Sequence, residues 1–252
     1  MTDANLAIVV LAAGQGTRMK SPVPKVLHVL AGRPLLDHVL GTAAELGASA
    51  VIVVVRHERD LVASAALQAL PGAIIVDQDD LPGTGRAVEL ALAVLPAGFD
   101  GDVLILSGDV PLLDAGTLHG LLETHRDSGA AVTLLSMMAT DPDGYGRIIR
   151  GAGGALARIV EQRDATEGEK AVREVNGGIY VFRARPLAAA LARIGTDNAQ
   201  GEKYLTDAIA VLRAAGLPAS AVVVADAWRI EGVNDPDQLA AAEAAYFRHL
   251  AP

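Results

Sequence analysis

Two cationic side chains, Arg18 and Lys25, follow the stretch Leu11-Ala12-Ala13-Gly14-Gln15-Gly16-Thr17, and a carboxylate, Asp109, stands far downstream in Ser107-Gly108-Asp109. Small residues and glycine let a backbone curl so that successive N–H groups converge, which makes a concavity for phosphate oxygens. Arg18 and Lys25 add fixed positive charge at its rim, so the stretch reads as a polyphosphate site. A plain glycine-rich turn is the competing reading. The stretch matches neither the Walker A pattern nor the Rossmann fingerprint, whose third glycine it lacks. Asp109, directly after an apolar segment, suits Mg²⁺, which takes one or two carboxylates together with substrate phosphates and water. A turn aspartate that caps backbone is the alternative.

Other side chains are less telling alone. Asn234 offers a neutral oxygen that could complete a metal site, but Asn234-Asp235-Pro236 is also an ordinary helix start. Gln78, near Gly83-Thr84-Gly85, has an amide able to pair with both edges of a base, or it is a solvated loop residue. Glu161 and Asn176 sit where sugar hydroxyls could be bound, or they are simply exposed. The six histidines lack metal-ligand or triad spacing, and the chain has no cysteine, which excludes thiol nucleophiles and cysteine-based metal sites.

The elements that position these groups follow from periodicity. Leu6–Val10, Val51–Val55, Ala73–Val76 and Val103–Leu106 are short apolar runs that read as buried strands. Helical spacing between them predicts helices over Leu35–Leu46, Glu58–Leu70 and Arg86–Leu95. Alternation of strand and helix makes the first half a doubly wound, Rossmann-like, mostly parallel α/β layer. Ligands of such layers bind beyond the carboxyl ends of the strands, which singles out the loops at 12–25, 77–84 and 107–109.

The second half is less regular. A helix over Asp114–Ser128 and a strand over Ala131–Met137 precede two segments around Gly151-Ala152-Gly153-Gly154, a hairpin signature. A strand at Asn176–Phe182, helices at Pro186–Ile194 and Tyr204–Ala215, and strands at Ser220–Ala225 and Trp228–Val233 follow. The last helix starts at Asp235-Pro236. The expected organisation is a nucleotide-binding half over about 1–112, a smaller antiparallel α+β sugar-binding lobe over about 113–235, and a C-terminal helix over 236–252. The three form one domain.

The net charge of -9 argues against nucleic acid as a partner. No apolar run is long enough to span a bilayer and the N-terminus has no basic n-region, so a cytoplasmic location without membrane attachment is the expectation.

Leu11–Met19 with Pro24-Lys25 resembles the signature of sugar-phosphate nucleotidyltransferases. The set Gln78, Gly83-Thr84-Gly85, Ser107–Leu112, Gly144–Ile148, Ile159–Gln162, Glu174–Gly178, Asn198–Glu202 and Glu231–Asn234 is similar to the uridylyltransferase domain of bacterial bifunctional N-acetylglucosamine-1-phosphate uridylyltransferase/glucosamine-1-phosphate acetyltransferases. The likeness runs in order from Leu6 to about Leu239.

By position, the resemblance implies that Leu11, Ala12, Ala13, Gly14, Arg18 and Lys25 hold a triphosphate, with Arg18 and Lys25 the catalytic charges. It gives Gln78 and Gly83 to uracil, Thr84 to the neighbouring sugar, and the Ser107-Gly108-Asp109 turn to the substrate. Asp109 and Asn234 would bind Mg²⁺, and Gly146, Glu161 and Asn176 would hold N-acetylglucosamine. The implied reaction joins UTP and N-acetylglucosamine 1-phosphate into UDP-N-acetylglucosamine and pyrophosphate. Pro82 and Arg86 depart from the family pattern beside the base site. No left-handed β-helix follows Leu250, so acetyl transfer is not expected and the oligomeric state stays open. Rival readings are a relative that uses another sugar 1-phosphate or nucleotide, and a non-catalytic sugar-nucleotide sensor.

Overall fold

The computed structural model describes residues 2–250. β1 (Asp3–Ala12) buries every residue of its apolar run Leu6–Val10, as a strand covered on both faces must. Short 3₁₀ turns at Thr17–Met19 and Lys25–Leu27 lead to a small ribbon, β2 (Val29–Leu30) with β3 (Arg33–Pro34). Then come α1 (Leu35–Glu45), β4 (Ala48–Val55), α2 (Arg59–Ala69), β5 (Ile74–Asp77), α3 (Thr84–Leu92) and β6 (Asp102–Ser107). The second half holds α4 (Ala115–Ser128), β7 (Val132–Met138), β8 (Arg147–Arg150), β9 (Leu156–Val160) and α5 (Glu167–Lys170). β10 (Glu174–Arg183), α6 (Ala184–Leu191), α7 (Asp207–Ala214), β11 (Ala219–Val223) and α8 (Pro236–His249) complete the chain. Met1 and the last two residues of the expected 236–252 helix lie outside the described residues.

The main sheet runs β11-β7-β10-β6-β1-β4-β5. β6, β1, β4 and β5 are mutually parallel, β10 alone runs against both β6 and β7, and β11 lies parallel to β7. The antiparallel part is thus β10 and the β8–β9 hairpin hung on it through Val175 and Arg147, built onto the same sheet as the parallel half. Alternation along the strands sorts the core: Ile8, Val10, Leu104 and Leu106 face α1 and α4, while Val9, Val103 and Ile105 face α3, α6 and α7.

Two expectations need correction. The helix expected from Arg86 starts at Thr84, because Gly83 takes φ 113° and turns the chain directly into it. Trp228–Val233 is not a strand but a 3₁₀ turn at Ala227–Arg229 followed by irregular chain. Its buried residues are Ile230 and Val233, three apart, and the Val233 N–H donates to the Asp109 carbonyl at 2.8 Å instead of to a strand neighbour. That bond draws the segment onto the β6 exit and sets Asn234 beside it. Asp235 caps α8 with a bond from Gln238 N, and the Gln238 side chain in turn accepts from Asn234 N–H.

Candidate active site

In-register parallel pairing lines up the strand exits. Ala12 pairs with Val55, Val55 with Asp77, and Leu11 with Ser107. Gln78, Arg56, Ala13 and Gly108 therefore leave the sheet in a row, neighbours roughly 5 Å apart. A cavity of about 420 Å³ opens along this row, lined by Leu11, Ala13, Gly14, Lys25, Gln78, Gly83, Thr84, Ser107 and Asp109 among others.

Two of the expected residues shape it without facing it. Ala12 is buried in the core. Gly108 donates its N–H to the Leu11 carbonyl at 2.9 Å, and a methyl there would stand 3.0 Å from that oxygen. The glycine lets the β6 exit close onto the β1 exit. Gly16, at φ 65°, does the same for Lys25: a methyl would come 2.5 Å from the Lys25 Cβ.

Lys25 reaches from the first loop to pair with the Asp109 carboxylate, and its Nζ donates to Asn234 Oδ1 at 2.9 Å. Residues distant in sequence thus meet at one half-buried point. Arg18 Nη2 donates to the same Asn234 oxygen at 2.9 Å and lies beside Gly144, so it stands at the far edge of the junction and not along the first cavity. An ammonium bridging a carboxylate and an amide oxygen marks a position that favours a cation. The donor set, all oxygen with one carboxylate, fits Mg²⁺ completed by phosphates and water. Among the described residues no cluster of three or more His, Cys, Asp or Glu could replace it.

Gln78 spends its amide N–H groups on the carbonyls of Leu81 at 3.2 Å and Gly83 at 3.0 Å, which holds the loop beneath the cavity wall. Thr84 Oγ1 accepts from Leu205 N–H. The loop is clamped from the other side by Lys203, whose N–H donates to Pro82 O at 2.9 Å and whose carbonyl accepts from Gly85 N–H at 2.8 Å. Nζ of Lys203 pairs with Glu89, and Arg86 pairs with both Glu89 and Asp79. Burial raises the Glu89 pKa, but Arg86 and Lys203 outweigh it and hold the carboxyl below its usual range.

A second cavity of about 180 Å³ shares Ser107 and Asp109 with the first and is walled by Tyr145, Gly146, Asn176, Gly178 and Asn234. Gly146 O accepts from Asn176 N–H at 2.9 Å, and Asn176 Nδ2 donates to the Tyr180 hydroxyl at 2.6 Å. Burial, with Glu231 and Asp109 nearby, pushes the Tyr145 phenol up to about 12, so it stays a neutral hydroxyl. Glu161 stands behind Gly146, where a methyl would lie 3.4 Å from Glu161 Oε2. It opens onto an adjoining hollow with Asp164, Tyr204 and Asp207, and accepts from Thr206 Oγ1 at 2.9 Å. Burial pushes the Glu161 carboxyl pKa up, and Asp207, Asp164 and Glu202 push the same way against the Thr206 bond.

The structure therefore brings Lys25, Arg18, Asp109 and Asn234 together, gathers Gln78, Gly83 and Thr84 at one end, and sets Gly146 and Asn176 at the other. Three residues escaped the sequence reading. Arg56 and His57 line the first cavity, and the strand-exit rule applied to β4 would have found them. Lys203, just beyond the Asn198–Glu202 segment, lies in a loop whose place beside Gly83 no local pattern announces.

A parallel strand-exit cleft with a glycine loop, a lysine–aspartate pair and an adjoining polar cavity suits a phosphorylated ligand held beside a second, polar one. The chain belongs to the MobA-like NTP transferase domain family, which matches residues 8–211. It is 59% identical over 244 residues to the bifunctional protein GlmU of Leifsonia xyli subsp. xyli, covering 97% of this chain and 50% of that protein. The corresponding protein of Clavibacter sepedonicus is 57% identical over 238 residues, covering 94% and 48%. The chain spans about half the length of the curated relatives it matches. A crystal structure of UDP-glucose pyrophosphorylase complexed with UDP-glucose superposes with a TM-score of 0.71 at 15% identity, covering 96% of this chain and 98% of that one. This second likeness concerns the fold alone.

Proposed function

We propose that the chain transfers UMP from UTP to N-acetylglucosamine 1-phosphate, giving UDP-N-acetylglucosamine and pyrophosphate. The observation that carries this reading is the shared junction: Lys25, Asp109 and Asn234 meet where the two cavities join, between the Gln78–Thr84 end and the Gly146–Asn176 end. Identity near 60% to GlmU proteins supports the choice of substrates.

In this reading the Leu11–Gly14 backbone and Lys25 bind the triphosphate, Gln78 and Gly83 face the base, and Gly146, Asn176 and Glu161 hold the sugar. Residues up to about 112 supply the nucleotide side and those to about 235 the sugar side. An oxygen of the sugar phosphate attacks the α-phosphorus in line, one P–O bond forms as the bond to pyrophosphate breaks, and the leaving oxygens carry the charge away. A phosphate monoester arrives already anionic near neutral pH, so no protein base is required. Asp109 and Asn234 would hold Mg²⁺, which supplies charge neutralisation on the phosphoryl oxygens when bound. Lys25 and Arg18 stabilise the charge that builds up in transit, and the two walls hold the reactants in line.

Pyrophosphate release is the test, measured with UTP, ATP, CTP and GTP across a panel of sugar 1-phosphates. UTP with N-acetylglucosamine 1-phosphate is expected to give the highest kcat/KM. Faster release with another pair reassigns the substrates, and thermal stabilisation by ligands without any release would favour a sensor.

A further inference from the structure

Among the described residues two basic side chains of the lysine and arginine type line the larger cavity, Lys25 and Arg56. Their situations differ. Lys25 is held by Asp109 and Asn234. Among the described residues the Arg56 side chain has only a long bond from Nη2 to the Asp80 carbonyl at 3.4 Å and a 3.9 Å approach to the fully exposed Asp80 carboxylate. An ion pair of that length with a solvated partner contributes little. Nearby cations are better committed: Arg59 bonds Asp77 at 2.7 Å, Arg86 bonds Asp79 and Glu89, and Lys203 bonds Glu89. Arg56 nonetheless keeps most of its side chain out of water, at 29% exposure.

Its place in the row of exits is specific. Arg56 follows Val55, which pairs with Ala12 on one side and Asp77 on the other. Its backbone is thus flanked by Ala13, which opens the glycine loop, and by Gln78, which opens the loop carrying Gly83. Its guanidinium rests against the Asp80 carbonyl of the 77–84 loop, in the lining of the cavity that the glycine loop also shapes.

We propose that Arg56 is a nucleotide-binding residue that pairs with the phosphates of the bound nucleoside triphosphate. The proposal rests on the nucleotidyl-transfer reading of this cleft. A guanidinium offers a planar fork of charged N–H donors that matches two phosphate oxygens, where a loop amide is neutral and a lysine ammonium is a point charge. Binding exchanges its weak contact with Asp80 for charge-assisted bonds in a partly enclosed cleft.

Calorimetric titration of the whole chain with UTP and with uridine tests this, using Arg56→Met and Arg56→Lys, with thermal midpoints to verify folding. Arg56→Met is expected to weaken UTP about tenfold while uridine affinity moves by less than about twofold, and Arg56→Lys to recover most of the loss. Unchanged UTP affinity in Arg56→Met overturns the assignment. So does equal loss for UTP and uridine, which would make the contact one to the base or ribose. A parent chain that binds no nucleotide at all would instead bring down the reading of the cleft on which the assignment stands.

Discussion

At the glycine-loop end of the cleft a ligand meets backbone and cations: the Ala13–Gly14 loop, Lys25, and Arg56 on the neighbouring strand exit. At the hairpin end the cavity is walled by neutral hydrogen-bonding groups, Tyr145 and Asn176, and the acids Glu161, Asp164 and Asp207 line a separate hollow behind Gly146. Asp109 stands where the two meet. The difference teaches how one sheet can sort two substrates. Parallel strands deliver loop amides and cations in a row, which suits polyanions, while the β8–β9 hairpin and β10 deliver side chains to a wall, which suits a neutral polyol. In the proposed function, repulsion from the acids behind Gly146 would help to keep a triphosphate from binding the wrong way round.

The largest effect is expected at the junction. Lys25→Ala removes the cation proposed to face the reacting phosphates and leaves Asp109 without its partner, so kcat for pyrophosphate release should fall about 10²–10³-fold, as for loss of one transition-state donor. Asp109→Asn should fall comparably, and removal of divalent cations by EDTA should abolish turnover in the parent. Full activity in Lys25→Ala would break the comparison at its centre.

A paired substitution sharpens the contrast between the two walls. A methyl on Gly83 would stand 2.5 Å from Lys203 N and closer still to its carbonyl, all backbone atoms, at a φ of 113° that only glycine adopts readily. Gly83→Ala should cost about 1–3 kcal/mol in denaturant unfolding and raise KM for UTP at least about tenfold. A methyl on Gly146 meets side chains, Ile159 Cγ2 at 2.9 Å and Glu161 Oε2 at 3.4 Å, which can give way. Gly146→Ala should therefore destabilise less, by about 1 kcal/mol, and raise KM for the sugar phosphate instead. Equal effects on both substrates from either variant would erase the division between the walls.

Legibility in the sequence divided along the same line. The parallel half could be read because its signals are local: an apolar run gives the strand, a glycine gives the exit, and in-register pairing then forces the exits together. The Lys25–Asp109 contact follows from two strand exits being neighbours, a consequence of topology that spacing alone could suggest. The hairpin was legible from its glycines, but the single reversed strand β10 between β6 and β7 was not, because antiparallel and parallel partners look alike within one buried run. Trp228–Val233 misled for a related reason. Apolar residues interleaved with polar ones imitate a strand, whereas the backbone bond to Asp109 that shapes the segment leaves no mark in its composition. Arg18 was read as part of the phosphate rim from its nearness in sequence, and its bond to Asn234 sets it at the Lys25–Asp109 junction, outside the lining of the first cavity. The Lys203 clamp on Gly83 joins segments far apart in the chain through main-chain atoms, so no residue type announces it.

The smallest effect separates charge from shape at the acidic wall. Glu161 has its pKa pushed up by burial, so the folded chain holds the proton more tightly than the unfolded one. Stability from this group is fully present below the unfolded value of about 4.3 and is lost as pH rises through the folded pKa. Glutamine is uncharged and keeps an oxygen to accept from Thr206, so Glu161→Gln removes that penalty. The variant should melt with the parent near pH 4 and above it at pH 8, by roughly 2–4 °C for each kcal/mol relieved in a chain of this size. Its KM for the sugar phosphate should rise roughly tenfold with KM for UTP unmoved, because a charged acceptor for a sugar hydroxyl becomes a neutral one. A melting gap that does not change with pH would mean that the carboxylate is not desolvated as the hairpin wall requires. A shift in KM for UTP instead would place Glu161 on the nucleotide side and dissolve the contrast between the two ends.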